Sequence, residues 1–235
     1  MEKLKHNERE LKIIKDEVAE MWRLVLSQLQ KCKQAYLTGD AELAREIISR
    51  EKRINSFELK IDSDCENYIA LFAPVAVDLR LVLSLMKISG ALERIGDFAE
   101  GIALHVVEGG SQQLAANLKE DLKIETMFDI VISMLSDSFV ALESENTKLS
   151  GRILQKDDEV DSLYREGKDV LAEYIKKYPE QGRNALETFL ILRRLERIGD
   201  HCSNTVEEIV FYIDAKILKH SKKKQGAAEN ALDEP

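Results

Sequence analysis

The hexapeptide Leu-Glu-Arg-Ile-Gly-Asp occurs at 92–97 and again at 195–200 of this 235-residue chain. Six identical residues recurring 103 positions apart mark a tandem duplication, and a duplication constrains architecture before any other signal: both halves must fold as the same unit. The correspondence runs well past the motif. At an offset of 106, Val25 falls on Val131, Ser27 on Ser133, Leu29 on Leu135, Ile47 on Ile153, and Tyr68-Ile69 on Tyr174-Ile175. Beyond Pro74 and Pro179 the offset drops to 103, which aligns Arg80 with Arg183 and Arg94 with Arg197. One loop of the second half is therefore three residues shorter.

The repeated unit is helical. Only three prolines interrupt the chain, and runs of Ala, Leu, Glu, Lys and Arg dominate it. Apolar residues recur at steps of three and four, as in Val18, Met21, Trp22, Val25, Leu29, Cys32 and Tyr36. A second stripe, Leu81, Leu85, Ile88, Leu92, Ile95, Ala99, Ile102 and Val106, keeps that rhythm without a fault. The pattern predicts six long helices at about 5–37, 41–72, 77–107, 113–144, 147–177 and 182–218. Gly39 suits a left-handed helix end and Asp40 an N-cap; Asn146 takes the place of Asp40 in the second half. Helices of about thirty residues reach about 45 Å. The fold class is therefore all-α: two tandem elongated three-helix bundles related by internal duplication, at 1–109 and 110–220. The tail, 221–235, lacks an apolar period and reads as disordered, and the basic stretch from Lys219 to Lys224 reads as a solvated helix end.

Composition excludes several classes. A net charge of −9 disfavours nucleic acid and anionic membranes as general partners. Cys32, Cys65 and Cys202 are widely spaced, without a C-x-x-C, and read as small core residues in a reducing, cytosolic compartment. The N-terminal stretch lacks the apolar core of a signal peptide, and no apolar run is long enough for a membrane span. Phosphate-binding loops, nucleophile elbows and H-E-x-x-H are absent, as are the E-x-x-H pairs of di-iron bundles.

The charges that invite chemistry sit inside the duplicated motif. Glu93 and Asp97 are four residues apart, so their carboxylates lie one turn apart on one helical face; Glu196 and Asp200 repeat them. The preceding helix of each half adds Glu51 and Asn55, and their copies Asp157 and Asp161. Glu58, Asp62, Glu100 and Asp158 are outer members. Like charges at this spacing destabilise a helix, and Gly96 and Gly199 each cost roughly another 1 kcal/mol relative to Ala. A cation bridging the oxygens is the simplest compensation, and such donors suit hard or borderline metals. The contrary reading is a solvated acidic face balanced by Arg94 and Arg197. His105 reads as a helix-surface residue, and His201 reaches only the edge of a site.

With these residues in view the chain resembles the PhoU family, whose hallmark is a repeated E/D-x-x-x-D on tandem three-helix bundles. The second copy stands nearer the family form, with His201, Asn204 and Glu207 in place. The first has Phe98 and Gly101 instead, which implies a site that binds metal more weakly or holds fewer ions. Val77-Asp78-Leu79-Arg80-Leu81 is similar to the family's lead-in to its third helix. The resemblance implies a non-enzymatic cytosolic adaptor, commonly a homodimer, that couples a phosphate ABC transporter to a sensor histidine kinase and damps the phosphate-starvation response. It also implies iron, zinc, manganese or magnesium at the acidic faces. Two rival readings are a metalloenzyme with Glu196 or Asp200 as general base, and a scaffold that binds no metal.

Overall fold

The computed structural model of the chain describes residues 2–110 and 116–218. Among these residues run seven α-helices and no strand. They are α1 Glu2–Thr38, α2 Ala41–Phe72, α3 Ala76–Val107, α4 Ala116–Asp121, α5 Ile124–Glu143, α6 Ser150–Lys177 and α7 Gly182–Asp214. The turn chemistry is as expected. Asp40 accepts from the backbone N–H groups of Glu42 and Leu43, both at 3.0 Å, and Gly39 stands at φ 70°. Asn146 repeats the cap by accepting from Lys148 N at 3.0 Å, although a 3-10 turn precedes α6 there.

The fourth predicted helix departs from expectation. The single rod over 113–144 is interrupted at Leu122 and Lys123, and Lys123 adopts a left-handed φ of 50°. Leu118, Leu122 and Ile124 are all buried. Positions 122 and 124 lie about 200° apart on a continuous helix, so both enter one core only if the helix breaks. The last helix also stops early, at Asp214, where Ala215 turns left-handed at φ 54°. The predicted helical start at 113–115, the basic stretch 219–224 and the tail lie outside the described residues.

Helices α1, α2 and α3 pack together, as do α5, α6 and α7, and the two sets meet through α3 against α7 and α1 against α5. The α3–α7 pair is antiparallel. Arg80 Nε donates to the Tyr212 carbonyl at 3.4 Å, Ser84 Oγ donates to the Glu208 carbonyl at 3.2 Å, and the rings of Phe98 and His201 meet at 5.8 Å. His201 is the repeat copy of Phe98. A residue that touches its own copy lies on an approximate twofold axis relating the halves. Trp22 fastens α1 to α5: it is fully buried, and its Nε1–H donates to the Leu135 carbonyl at 3.1 Å. The three cysteines are free and buried, as small core residues should be.

Gln28 breaks the apolar rule of the core. Gln28 is fully buried, and neither atom of its amide has a hydrogen-bond partner. Its copy in the second half is Met134, which is also fully buried. A buried polar group without a partner costs about 1–3 kcal/mol, and methionine matches glutamine in length. Gln28→Met is therefore expected to raise stability by about 1–2 kcal/mol, a rise of several degrees in Tm for a chain of this size. A thermal melt followed by circular dichroism checks this, and a lower Tm would mean that the amide is satisfied by ordered water.

Candidate metal centres

The acidic residues of each half lie where two helices approach closely, and the motif glycine permits the approach. A Cβ on Gly96 of α3 would stand 3.0 Å from Ile54 Cδ1 and 3.3 Å from its Cγ2, so α2 rests on the bare backbone. A Cβ on Gly199 of α7 would stand 3.2 Å from Asp157 Oδ1 and 3.6 Å from Val160 Cγ1 of α6. Close packing thus accounts for the repeated glycine, which sequence reasoning had assigned to compensation by a cation. In the second half the atom against the glycine belongs to a candidate ligand.

On the first face α2 supplies Glu51, Asn55 and Glu58, and α3 supplies Glu93, Asp97 and Glu100. Burial raises the Glu51 carboxyl above its ordinary range and the Asp97 charge raises it further, while the Asn55 amide opposes both. Glu93 is raised by burial and then by Asp97, against the pull of Arg94, with smaller contributions from Glu58 and Glu51. Glu100 is raised by burial, Glu51 and Asp97. These groups therefore sense one another across the α2–α3 seam. Glu51 Oε1 and Asn55 Oδ1 are buried acceptors without a hydrogen-bond partner. Asp62 lies further along α2, within 3.5 Å of the Ser89 hydroxyl.

The second face is built alike. Burial raises Glu196, Asp200 and Asp161 add to the effect, and Arg197 and Arg193 oppose it. Asp157 is buried at the α6–α7 contact, close enough for its charge to raise the Cys202 thiol, which burial raises most. Asp158 is exposed on α6.

The donor types are those a cation takes: hard oxygens, carboxyls that burial and neighbouring carboxylates hold above their ordinary range, and two orphaned acceptors. No three His, Cys, Asp or Glu side chains among the described residues stand close enough together to hold an ion. Arginines occupy part of the role. Arg94 pairs with Asp97 at 3.1 Å and with Glu93 at 3.4 Å, and Arg197 pairs with Asp200 at 2.9 Å. These exposed pairs are worth under about 1 kcal/mol each, little against a bound multivalent ion.

His105 is buried, contrary to the sequence reading. Its ring lies 6.3 Å from that of Tyr36, and a Cβ on Gly110 would fall 2.1 Å from its Cε1. The Tyr36 ring of α1 and the backbone at Gly110 cover it. Phe98 and Gly101 lie at the α3–α7 contact, where Gly101 makes room for Arg194: a Cβ there would stand 2.7 Å from Arg194 Nε. The copies of Gly101 and Arg194 are Asn204 and Ala91, so a small residue faces a larger one on both sides of the axis. That reciprocal exchange was visible in the aligned halves and went unread.

Replacing Glu51 by Gln isolates the charge effect. The folded-state carboxyl of Glu51 lies above its unfolded value. Stability from its protonated form is fully present below the ordinary carboxylate value and lost as pH rises through the raised folded value. In chelator-treated protein, Glu51→Gln is expected to raise stability at pH 7.5 by about 1 kcal/mol, and the advantage should fade as pH falls towards the ordinary range. Paired melts of both proteins across pH cancel every contribution that the two share. An advantage that stays constant with pH would deny that the charge is its source.

Fold and site together define a class: a duplicated all-α protein that presents the same acidic pair from each of two packed bundles. The chain belongs to the PhoU family. The PhoU domain model matches residues 18–106 and 124–209, one match per half. The chain is 33% identical over 217 residues to the phosphate-specific transport system accessory protein PhoU homolog of Aquifex aeolicus, covering 92% of this chain and 97% of that one. It is 33% identical over 211 residues to phosphate-specific transport system accessory protein PhoU of Escherichia coli, covering 90% and 86%. The crystal structure of PhoU from Pseudomonas aeruginosa superposes with a TM-score of 0.84 at 27% identity, over 89% of this chain and 99% of that one. No helix among the described residues is long and apolar enough to cross a membrane.

Proposed function

We propose that the chain is an accessory regulator of phosphate transport in the cytoplasm, acting by binding and without catalysis. In this reading a homodimer couples a phosphate ABC transporter to a sensor histidine kinase and damps the phosphate-starvation response. The observation that carries it is the match of both halves to one family of transport accessory proteins, with the acidic pair retained in the same slot of each. The helical body suits such work, because its charged outer surfaces leave long helix faces for partners while the apolar residues fill the core.

Divalent or trivalent cations belong to the proposal. Glu51, Asn55, Glu93 and Asp97 would hold an ion at the first face, and Asp157, Asp161, Glu196 and Asp200 at the second. Support comes from the orphaned acceptors of Glu51 and Asn55 and from the raised carboxyls of Glu51, Glu93 and Glu196. A bound cation would neutralise charges that the fold holds close together. Iron, zinc, manganese and magnesium all accept such oxygens.

Deleting the gene tests the regulatory role. A phosphate-starvation reporter should switch on in phosphate-rich medium and be silenced again when the gene is restored. Reporter output unchanged by deletion would reject the reading.

A further inference from the structure

The turn between α2 and α3 is apolar throughout, reading Leu-Phe-Ala-Pro-Val-Ala-Val from Leu71 to Val77. Three of its large side chains face solvent: Leu71 is 72% exposed, Val75 75% and Val77 51%. Exposed apolar residues scattered singly are ordinary, whereas a contiguous set marks a contact surface. The turn has a fixed shape. The Ala73 N–H closes on the Ile69 carbonyl at 3.0 Å, and Ala73 and Ala76 both take left-handed φ, 46° and 50°.

The duplication supplies an internal comparison. The turn between α6 and α7 makes the same reversal with the polar run Lys-Tyr-Pro-Glu-Gln-Gly from Lys177 to Gly182. Leu71 is matched there by Lys177, and Val77 by Glu180. Reversing the chain between two such helices therefore needs no apolar surface, and folding leaves the character of the first turn unexplained.

The charges at this end point to an occupant. Arg80 Nε donates to the Tyr212 carbonyl, so the end of α7 lies beside the turn. The chain then passes Lys216 and the exposed Ile217 to Leu218, which lines a hollow with Lys87 and Phe211. Lys87 stands about 15 Å along α3 from Val77. From Leu218 the sequence runs on through Lys219, Lys222, Lys223 and Lys224, a stretch that reaches about 20 Å when extended. No acidic residue falls between Ala215 and Ala228. Of the acids beside the turn, Asp214 accepts from the Thr147 hydroxyl at 3.2 Å and lies 3.8 Å from the Lys216 ammonium. Asp78 lies near enough to Tyr68 and Tyr212 for its charge to add to the burial that raises both phenols.

An apolar turn beside a run of lysines is the pairing that holds a protein at a lipid surface: apolar side chains enter the acyl boundary while ammonium groups meet anionic headgroups. The run of lysines favours a surface carrying many anionic groups over a single apolar pocket on a protein. A net charge of −9 opposes such contact elsewhere on the molecule and confines it to this end. We infer that the α2–α3 turn, together with the lysines from Lys219 to Lys224, is a docking surface for an anionic lipid bilayer, with Leu71, Val75 and Val77 inserted among the headgroups. The contact is independent of the acidic faces.

The test is co-sedimentation of the full chain with phosphatidylcholine vesicles containing about one-third phosphatidylserine, beside vesicles of phosphatidylcholine alone. The chain should bind the mixed vesicles and not the uncharged ones, and binding should weaken as salt rises towards about 0.5 M. Leu71→Gln with Val75→Gln should weaken binding at least about tenfold through loss of apolar insertion. Both residues are exposed, so the melt of this variant should match wild type. Changing Lys222, Lys223 and Lys224 together to Gln should weaken binding about a hundredfold, at about fivefold per lysine. Leu186→Gln with Leu190→Gln, which removes exposed apolar surface near the start of α7, should change nothing. Equal binding to uncharged vesicles, a turn variant that binds like wild type, or no binding at about 1 mM lipid would overturn the assignment. So would binding to membranes that contain a phosphate ABC transporter but not to lipid alone, which would give the turn to a protein partner.

Discussion

Trp22→Ala should destabilise the protein by about 3–5 kcal/mol, the range for deleting a large aromatic side chain from a well-packed core. Trp22 is fully buried, its ring meets that of Phe139 at 5.4 Å, and its N–H reaches the Leu135 carbonyl on the other bundle. The loss should therefore fall on both halves, and unfolding should remain a single transition. Trp22→Phe installs the residue found at the repeat position, Phe128, and keeps most of the apolar volume. It removes the cross-bundle hydrogen bond, worth about 0.5–1.5 kcal/mol, and should cost little more than that. Guanidinium titrations followed by circular dichroism measure both variants. A biphasic curve for wild type, with only the first phase moved by Trp22→Ala, would show that the bundles unfold independently.

The second large effect is expected at the acidic faces. Glu196→Gln with Asp200→Asn should remove the second face's share of any cation-induced stabilisation, about 2.7 kcal/mol when the ion is present at a hundred times its Kd. Helicity should be unchanged. After chelation the double variant should match or exceed wild type, because burial and the charges of Asp200 and Asp161 already oppose ionisation of Glu196. Glu93→Gln with Asp97→Asn is the matching change in the first half, and comparing the two melts weighs one face against the other. An undiminished cation shift in the second-face variant would place ions elsewhere. Loss of helicity in the chelated variant would make the carboxylates structural.

Both outcomes depend on how the faces are built, and their construction was only half legible in the chain. The E-x-x-x-D spacing put each carboxyl pair on one face, and the short α2–α3 link set Glu51 near enough to Asp97 for that charge to raise it, after burial. The role of Gly96 and Gly199 was misread, since a glycine in a helix shows its penalty in sequence and its reason only against a neighbouring helix. The Arg94 pairs with Glu93 and Asp97, by contrast, could be anticipated, because residues three apart on a helix are neighbours.

The sequence by itself determined the duplication, the long helices apart from the break at Lys123 and the early end at Asp214, the caps at Asp40 and Asn146 and the stripes that fill each bundle. Those properties arise from interactions within about four residues, and the chain spells them out directly. Tertiary structure decided the rest: the burial of His105, the meeting of Phe98 with its own copy, the fit of Arg194 over Gly101, the stranded amide of Gln28 and the exposure of Leu71 and Val77 at the apolar turn. Each depends on which flank of a helix is covered by an element from elsewhere in the fold, and helical periodicity carries no information about a partner that distant.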